Sequence, residues 1–171
     1  KSVKKAGLVR RFVIGDRGQL LTDAQSKGLK KGIELLVFEA DSQLKLALIE
    51  ATQDIDAFTY RDRALPVADP VRGMLPTKLA RAMVNLARVK AGGKVLDPFC
   101  GVGRVLIEAL DLGYKVVGSD IDPLAIEATR RNLLWFKKGD YQLEELNVAN
   151  LGESKIDTDK VTAISVSTQT D

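Results

Sequence analysis

The spacing of apolar residues changes along the chain and predicts a mixed α/β fold. Short apolar runs at residues 9–14, 32–39 and 44–52 predict two or three antiparallel strands. Charged residues, prolines and a glycine then punctuate residues 53–74, which predicts a connecting loop. Beyond residue 75, runs with helical spacing alternate with short continuous apolar runs.

This second part of the chain has the alternation expected of a parallel sheet. The first predicted helix begins at Pro76 and stops at residues 91–93, and two more cover residues 104–112 and 123–136. The predicted strands cover residues 95–96, 114–120, 141–146 and 161–166. Strands that alternate with helices favour parallel pairing through crossover connections.

A glycine-rich turn follows the first of these strands and carries candidate chemistry. Asp97 ends the strand, Gly101 and Gly103 lie in the turn, and Asp120 follows the next strand. Glycine lets a ligand approach the backbone closely, and an acid at this distance can accept both hydroxyls of a ribose. A nicotinamide fingerprint needs a third glycine where this chain has Leu106, so the spacing favours a nucleoside cofactor without a pyrophosphate.

Composition excludes several kinds of chemistry. The chain has 171 residues, no histidine and one cysteine, Cys100. An imidazole base, a histidine-ligated metal, a disulfide within the chain and a multi-cysteine zinc site are therefore excluded. Cys100 is interpreted as a packing residue, and the cysteine usage favours a cytoplasmic location.

Charge is uneven along the chain. Residues 1–31 hold nine Lys and Arg against Asp16 and Asp23, although the whole chain has a net charge of only +3. Such a basic segment suits contact with a polyanion, but it also suits a solvated face. The charged cluster Arg61–Arg63 likewise has two interpretations, an ion-pair lock and a phosphate-binding site.

No apolar run approaches the roughly 20 residues that cross a bilayer.

Two stretches give a specific resemblance. The first covers residues 60–87 and includes YRDR at 60–63 and RGMLP at 72–76. The second is VLDPFCGVG at 95–103, which is followed by Glu108-Ala109 and by GSDID at 118–122. In these two stretches the chain resembles the THUMP-domain tRNA guanine-N2 methyltransferases. The resemblance implies a partial Rossmann-like class I methyltransferase sheet that is preceded by a small β-rich segment. It also implies that residues 1–58 are the end of a THUMP-linked RNA-binding region and that residues 59–171 begin the methyltransferase domain.

The same resemblance implies S-adenosylmethionine as cofactor and tRNA as partner, with direct methyl transfer to a guanine amine and no metal. For Asp122, the sequence supports a helix N-cap as strongly as a cofactor contact. The residues implied to bind cofactor are Met74, Leu75, Pro76, Asp97, Phe99, Cys100, Gly101, Gly103, Asp120, Ile121, Asp122 and Asn147. The candidate RNA-binding residues are Lys4, Lys5, Arg10, Arg11, Lys30 and Lys31.

The end of the chain departs from the family pattern. The family's proline-aromatic catalytic motif is expected near Ser167 and Thr168, where this chain has neither proline nor an aromatic residue, so no catalytic residue is assigned. Either the chain is a fragment of an active enzyme that binds cofactor weakly and does not turn over, which is favoured, or the homologue keeps only binding. An amine methyltransferase acting on DNA or protein is a further alternative. A partner or a further segment is expected to complete the sheet.

Overall fold

A computed structural model describes residues 35–51, 53–70, 74–154 and 161–163. The chain divides into two compact units, residues 1–55 and 56–171. The predicted strand at 9–14, the candidate RNA-binding residues and the region of Ser167 and Thr168 lie outside the described residues. Within the described part, no helix is both long and apolar enough to cross a membrane.

The first unit contains an antiparallel hairpin. Strand β1 (Leu35–Ala40) pairs with β2 (Gln43–Leu48), with Leu35 opposite Leu48. Asp41 and Ser42 form the two-residue turn with φ of 55° and 57°, the backbone twist that suits such tight hairpins. The described hairpin thus corresponds to two of the predicted antiparallel strands.

The second unit is a parallel sheet with helices. Its elements are α1 (Ile55–Arg63), α2 (Thr77–Leu86), β3 (Lys94–Asp97), α3 (Arg104–Asp111), β4 (Lys115–Asp120), α4 (Pro123–Phe136), β5 (Tyr141–Glu145), a 3-10 helix (Val148–Glu153) and β6 (Val161–Ala163). The strand order is β5-β4-β3-β6, and each neighbouring pair is parallel. The expected α/β architecture is confirmed.

The sheet's core explains why α2, α3 and α4 form where their spacing predicts. Ala80 and Val84 of α2 and Leu106 of α3 are almost fully buried, as are Val95 of β3 and Val116 of β4. Gly118 lets the layers approach closely, because a Cβ there would lie 2.5 Å from Leu106 Cδ1. Apolar burial of this kind provides most of the stability of short helices.

The largest differences from the predictions concern α1 and the end of α2, and β2 also ends at Leu48 where the prediction runs to residue 52. Residues 55–63 form a helix, not part of a loop, because Arg61 is buried against α3, a tertiary contact that local punctuation does not reveal. Helix α2 ends at Leu86, before the predicted stop at 91–93. Arg88 has a φ of 50°, which breaks the helix and directs the chain to the buried Val89.

A buried ion-pair cluster joins α1, α2 and α3. Glu108 is 0% exposed, and its carboxylate lies 2.6 Å from Arg61 Nε and 2.7 Å from Arg81 Nε. Asp111 contacts the same two arginines and Lys138. Burial acts to raise the pKa of Asp111, but hydrogen bonds from Arg81 and Lys138 outweigh it and lower the pKa. Arg61 is therefore part of an ion-pair lock within the second unit.

Candidate cofactor site

A cleft of about 1110 Å³ opens at the carboxyl ends of the parallel strands. Asp97 ends β3, Asp120 ends β4, and Asn147 follows β5, and all three residues line the cleft. Parallel sheets bind ligands at this edge because the strand ends and the following loops converge there. The topology therefore brings together residues that lie far apart in the sequence.

The glycine turn is held against β4 by its backbone. Cys100 N–H donates to the Ser119 carbonyl at 2.9 Å, and Gly101 N–H donates to Asp120 Oδ2 at 2.9 Å. The other oxygen of Asp120 accepts from Asp122 N–H at 3.1 Å. Asp120 is thus fixed in orientation by two backbone donors while one side of it faces the cleft.

Gly101 and Gly103 serve the turn in different ways. Gly101 has a φ of 52°, and a Cβ built there meets no atom within 4 Å, so its surroundings leave space beside the backbone. Gly103 has a φ of 82°, and its Cβ would lie 3.0 Å from Thr129 Cγ2. Gly101 therefore fits close approach of a ligand, whereas Gly103 permits packing of the turn on α4.

Helix α4 supports the turn through two fully buried polar residues. Thr129 Oγ1 donates to the Gly101 carbonyl at 2.8 Å. Asn132 Nδ2 donates to the carbonyls of Val102 and Val67, each at 2.9 Å, and Asn132 Oδ1 accepts from Val67 N–H at 2.9 Å. Asn132 thereby joins the turn to the segment at 67–69, which forms another wall of the cleft.

Burial gives Asp97 unusual proton affinity. Its side chain is almost fully buried, and Oδ1 accepts a hydrogen bond from Phe99 N–H at 3.2 Å. Loss of solvation raises the pKa of Asp97 to about 7, the Phe99 hydrogen bond opposes the rise, and the charge of Asp120 adds to it. A cationic ligand group beside Asp97 would favour the ionised form.

Cys100 lacks the properties of a nucleophile. The thiol is 5% exposed, and its sulfur lies 3.6 Å from Thr129 Oγ1. Burial raises the pKa of Cys100 to about 12, so the thiolate is not populated near neutral pH. These features agree with the packing role expected from the sequence.

Apolar side chains form the remaining walls. Ile121 is 63% exposed and Phe99 is 42% exposed, although both line the cleft. Exposed apolar side chains in a cleft that also holds Asp97 and Asp120 suit a ligand with a flat ring. The cleft is also lined by Met74, Leu75, Pro76, Leu124, Ala125, Leu146 and Val148.

The predicted site residues converge with few exceptions. Gly103 is part of the turn but packs against α4 and does not line the cleft. Asp122 caps α4 by accepting from Leu124 N–H at 2.8 Å and does not line the cleft either. Asn147 Oδ1 accepts from Ala149 N–H at 2.9 Å at the start of the 3-10 helix. The predicted residues that line the cleft are Met74, Leu75, Pro76, Asp97, Phe99, Cys100, Gly101, Asp120, Ile121 and Asn147.

Sequence reasoning missed Arg104, Thr129 and Asn132. Thr129 and Asn132 are three residues apart on the buried face of α4, so a polar pair at helical spacing among apolar residues is the signal that could have identified them. Arg104 lines the cleft directly after the glycine turn. An arginine at the first position of a helix opposes the helix dipole, and this placement is a second signal that the sequence contains.

Comparison with known proteins places this geometry in context. Residues 68–164 match the UPF0020 family, described as RMKL-like, methyltransferase domain. The tRNA (guanine(10)-N2)-dimethyltransferase of Methanothermobacter thermautotrophicus is 46% identical over 100 residues, which are 56% of this chain and 30% of that protein. The enzyme of the same name from Methanocaldococcus jannaschii is 63% identical over 60 residues, 35% of this chain and 17% of that protein.

The fold is shared with a solved structure. TrmN from Thermus thermophilus superposes with a TM-score of 0.50 at 22% identity, covering 79% of this chain and 40% of that chain. This likeness concerns the Rossmann-like fold alone. This chain spans less than a third of the length of the two tRNA dimethyltransferases that it resembles.

Proposed function

We propose that this chain, which belongs to the RMKL-like methyltransferase domain family, is the S-adenosylmethionine-binding part of a tRNA guanine-N2 methyltransferase. The observation that carries the proposal is the convergence of Asp97, the Gly101 turn and Asp120 on one cleft. A buried acid, an accessible backbone and a second, oriented acid match the amino group, the sulfonium region and the ribose of that cofactor.

The chemistry of the residues that line the cleft supports this cofactor. Asp97 is placed to accept from the ammonium group, and Asp120 from the ribose hydroxyls. Ile121 offers an apolar surface to the adenine, and Asn147 offers an amide at the end of β5. Met74, Leu75 and Pro76 cover the methionine end and exclude water there.

Catalysis would rest mainly on positioning. When bound, the cofactor would supply an electrophilic methyl group, which would pass from its sulfonium to the exocyclic amine of guanine with release of S-adenosylhomocysteine and one proton. The rigid turn, tied to α4 by Thr129 and Asn132, holds the cleft in one geometry. Orientation of two reactants in this way accounts for a large part of many rate enhancements.

The tRNA substrate is proposed from the relatives and from charge. Two relatives are named for methylation of guanine 10 in tRNA, and residues 1–31 are strongly basic.

We assign residues 1–58 to an RNA-binding region, residues 59–171 to the methyltransferase domain, and the protein to the cytoplasm. We also propose that a partner or further chain segment pairs beside β6.

Asp120→Asn is expected to weaken S-adenosylmethionine binding by about tenfold or more, because a charged acceptor for two hydroxyls becomes a neutral amide. Isothermal titration calorimetry on this chain measures the effect. Asp140→Asn is the matched control, since that side chain is 81% exposed and paired only loosely with Lys115 at 3.7 Å. Equal affinities in wild type and Asp120→Asn would contradict the ribose assignment.

Charge removal tests the RNA assignment. With Lys4, Lys5, Arg10 and Arg11 replaced by Gln, the slope of log K against log salt for tRNA binding should become shallower by about 0.7–0.9 for each phosphate that is no longer neutralised. Fluorescence anisotropy with a tRNA transcript and with a DNA duplex of equal charge gives both slopes. An unchanged slope would place these residues on a solvated face, and tighter binding of the duplex would favour a DNA substrate.

A further inference from the structure

Arg104 is a buried cation in the wall of the candidate cofactor cleft. It is the first residue of α3, directly after Gly103, and it is 7% exposed. A cation at the amino end of a helix opposes the helix dipole, and burial removes it from water. Its position therefore needs an anion nearby, and Asp62 provides one.

The partners of Arg104 within the chain occupy one part of its guanidinium. Nη1 donates to Asp62 Oδ1 at 3.0 Å, to the Arg61 carbonyl at 3.4 Å and to Thr77 Oγ1. Nη2 donates to the Asp62 carbonyl at 3.0 Å. Nε is buried and has no hydrogen-bond partner among the described residues. A buried donor without a partner shows that the hydrogen-bonding capacity of this guanidinium is not fully used within the chain.

The anion at Asp62 compensates the charge only in part. The Asp62 side chain is 50% exposed, so solvent screens its attraction for Arg104. The hydrogen bond from Thr77 and the charge of Arg104 lower the pKa of Asp62, and the carboxylate is therefore ionised at neutral pH. Arg104 therefore has an unused donor and a counter-ion that is only partly shielded from solvent.

The charges of the cleft limit what that anion can belong to. Asp69, Asp97 and Asp120 line the same cleft as Arg104, so a polyanion such as a phosphate would meet three aspartate side chains for one guanidinium. A zwitterion has no such conflict, because its ammonium faces an acid while its carboxylate faces the arginine. The amino-acid end of the proposed cofactor is such a zwitterion.

We propose that Arg104 binds the carboxylate of S-adenosylmethionine and makes the site selective for a cofactor that carries this group. The inference rests on the proposed function and adds a specificity-determining residue to it. Arg104 and Asp97 then recognise opposite charges on the same α-carbon. Guanidinium groups bind carboxylates through paired N–H donors, which gives selectivity by charge and by shape.

The test compares S-adenosylmethionine with its decarboxylated analogue, which lacks only the carboxylate. By calorimetry, the wild-type chain is expected to bind the carboxylated ligand about tenfold more tightly or better. In Arg104→Met the preference should fall to within about threefold, and Arg104→Lys should give an intermediate value because charge is kept but the paired donors are removed. Thermal unfolding verifies that each variant is folded.

Arg81→Met is the control, because Arg81 belongs to the neighbouring buried cluster but does not line the cleft. It should keep the wild-type preference even if overall affinity changes. A full preference in Arg104→Met, or in Arg104→Lys if the first variant does not fold, would overturn the inference and leave the proposed function intact. If the folded wild type binds neither ligand, both the inference and the proposed cofactor fail.

Discussion

Asp97→Asn is expected to stabilise the ligand-free protein at pH 8 and to abolish most of its affinity for S-adenosylmethionine. Burial raises the pKa of Asp97 from 3.8 to about 7. The folded state therefore holds a proton that the unfolded chain releases, and ionisation of Asp97 above pH 7 costs folding free energy. Removal of the ionisable group should recover up to roughly 4 kcal/mol, which corresponds to the size of this shift.

The pH dependence identifies the cause. For a raised acid pKa, the stability present below pH 3.8 is lost as the pH rises toward about 7 and stays low above it. The advantage of Asp97→Asn over wild type should therefore grow between pH 5 and pH 7 and remain constant to pH 8. Urea unfolding at each pH measures it, with Asp140→Asn as an exposed control. A difference independent of pH would exclude titration of Asp97 as the cause.

Although Asp97→Asn is expected to be the more stable protein without ligand, wild type is expected to bind the cofactor more tightly. An ammonium group beside Asp97 favours the ionised form, so wild-type affinity should rise with pH as binding releases a proton. Asp97→Asn lacks this attraction at every pH. Calorimetry in buffers of different ionisation enthalpy measures the number of protons released when the cofactor binds. At pH 6, wild type should release a proton, and any residual binding by the variant should release none.

Glu108→Gln is expected to destabilise the fold by about 3–5 kcal/mol, because it leaves the buried Arg61 and the half-buried Arg81 with less compensating charge. Glu108 is fully buried, and each of its oxygens lies within 2.7 Å of a different arginine. Glutamine has nearly the same volume, so the effect reports charge and hydrogen bonding and not a cavity. The urea midpoint measures the effect.

An exposed pair offers the matched comparison. Glu127 pairs with Arg130 at 3.5 Å on the surface of α4, and its side chain is 62% exposed. Glu127→Gln should change stability by no more than about 0.5 kcal/mol. Equal effects of the two substitutions would mean that the buried cluster contributes no more than a surface ion pair.

Sequence periodicity predicts the sheet well because its strands and helices bury continuous or regularly spaced apolar faces. Strand β4, the helix beginning at Pro123 and the turn between Asp97 and Gly103 are local features that neighbouring residues specify. Helix α1 forms where the sequence predicts a loop, because its position depends on Arg61 reaching Glu108, which is 47 residues away. No local pattern contains that contact.

The site follows the same division. Asp97 and Asp120 are recognisable from the sequence because each directly ends a predicted strand, and parallel strands bring such ends to one edge. The roles of Thr129 and Asn132 depend on which face of α4 meets the glycine turn, and the role of Arg104 depends on the approach of Asp62. These facts follow from packing between elements, which the local sequence does not specify.

The three hydrogen bonds of Asn132 make two walls of the cleft a single cooperative unit. Any fluctuation that withdraws Asn132 from Val67 also weakens its hold on the Val102 carbonyl, since one amide serves both. The segment at 67–69 and the glycine turn should therefore open together and not in succession. A ligand that stabilises the closed turn will slow hydrogen exchange at the Val67 amide, so occupancy of one wall is transmitted to the other through α4.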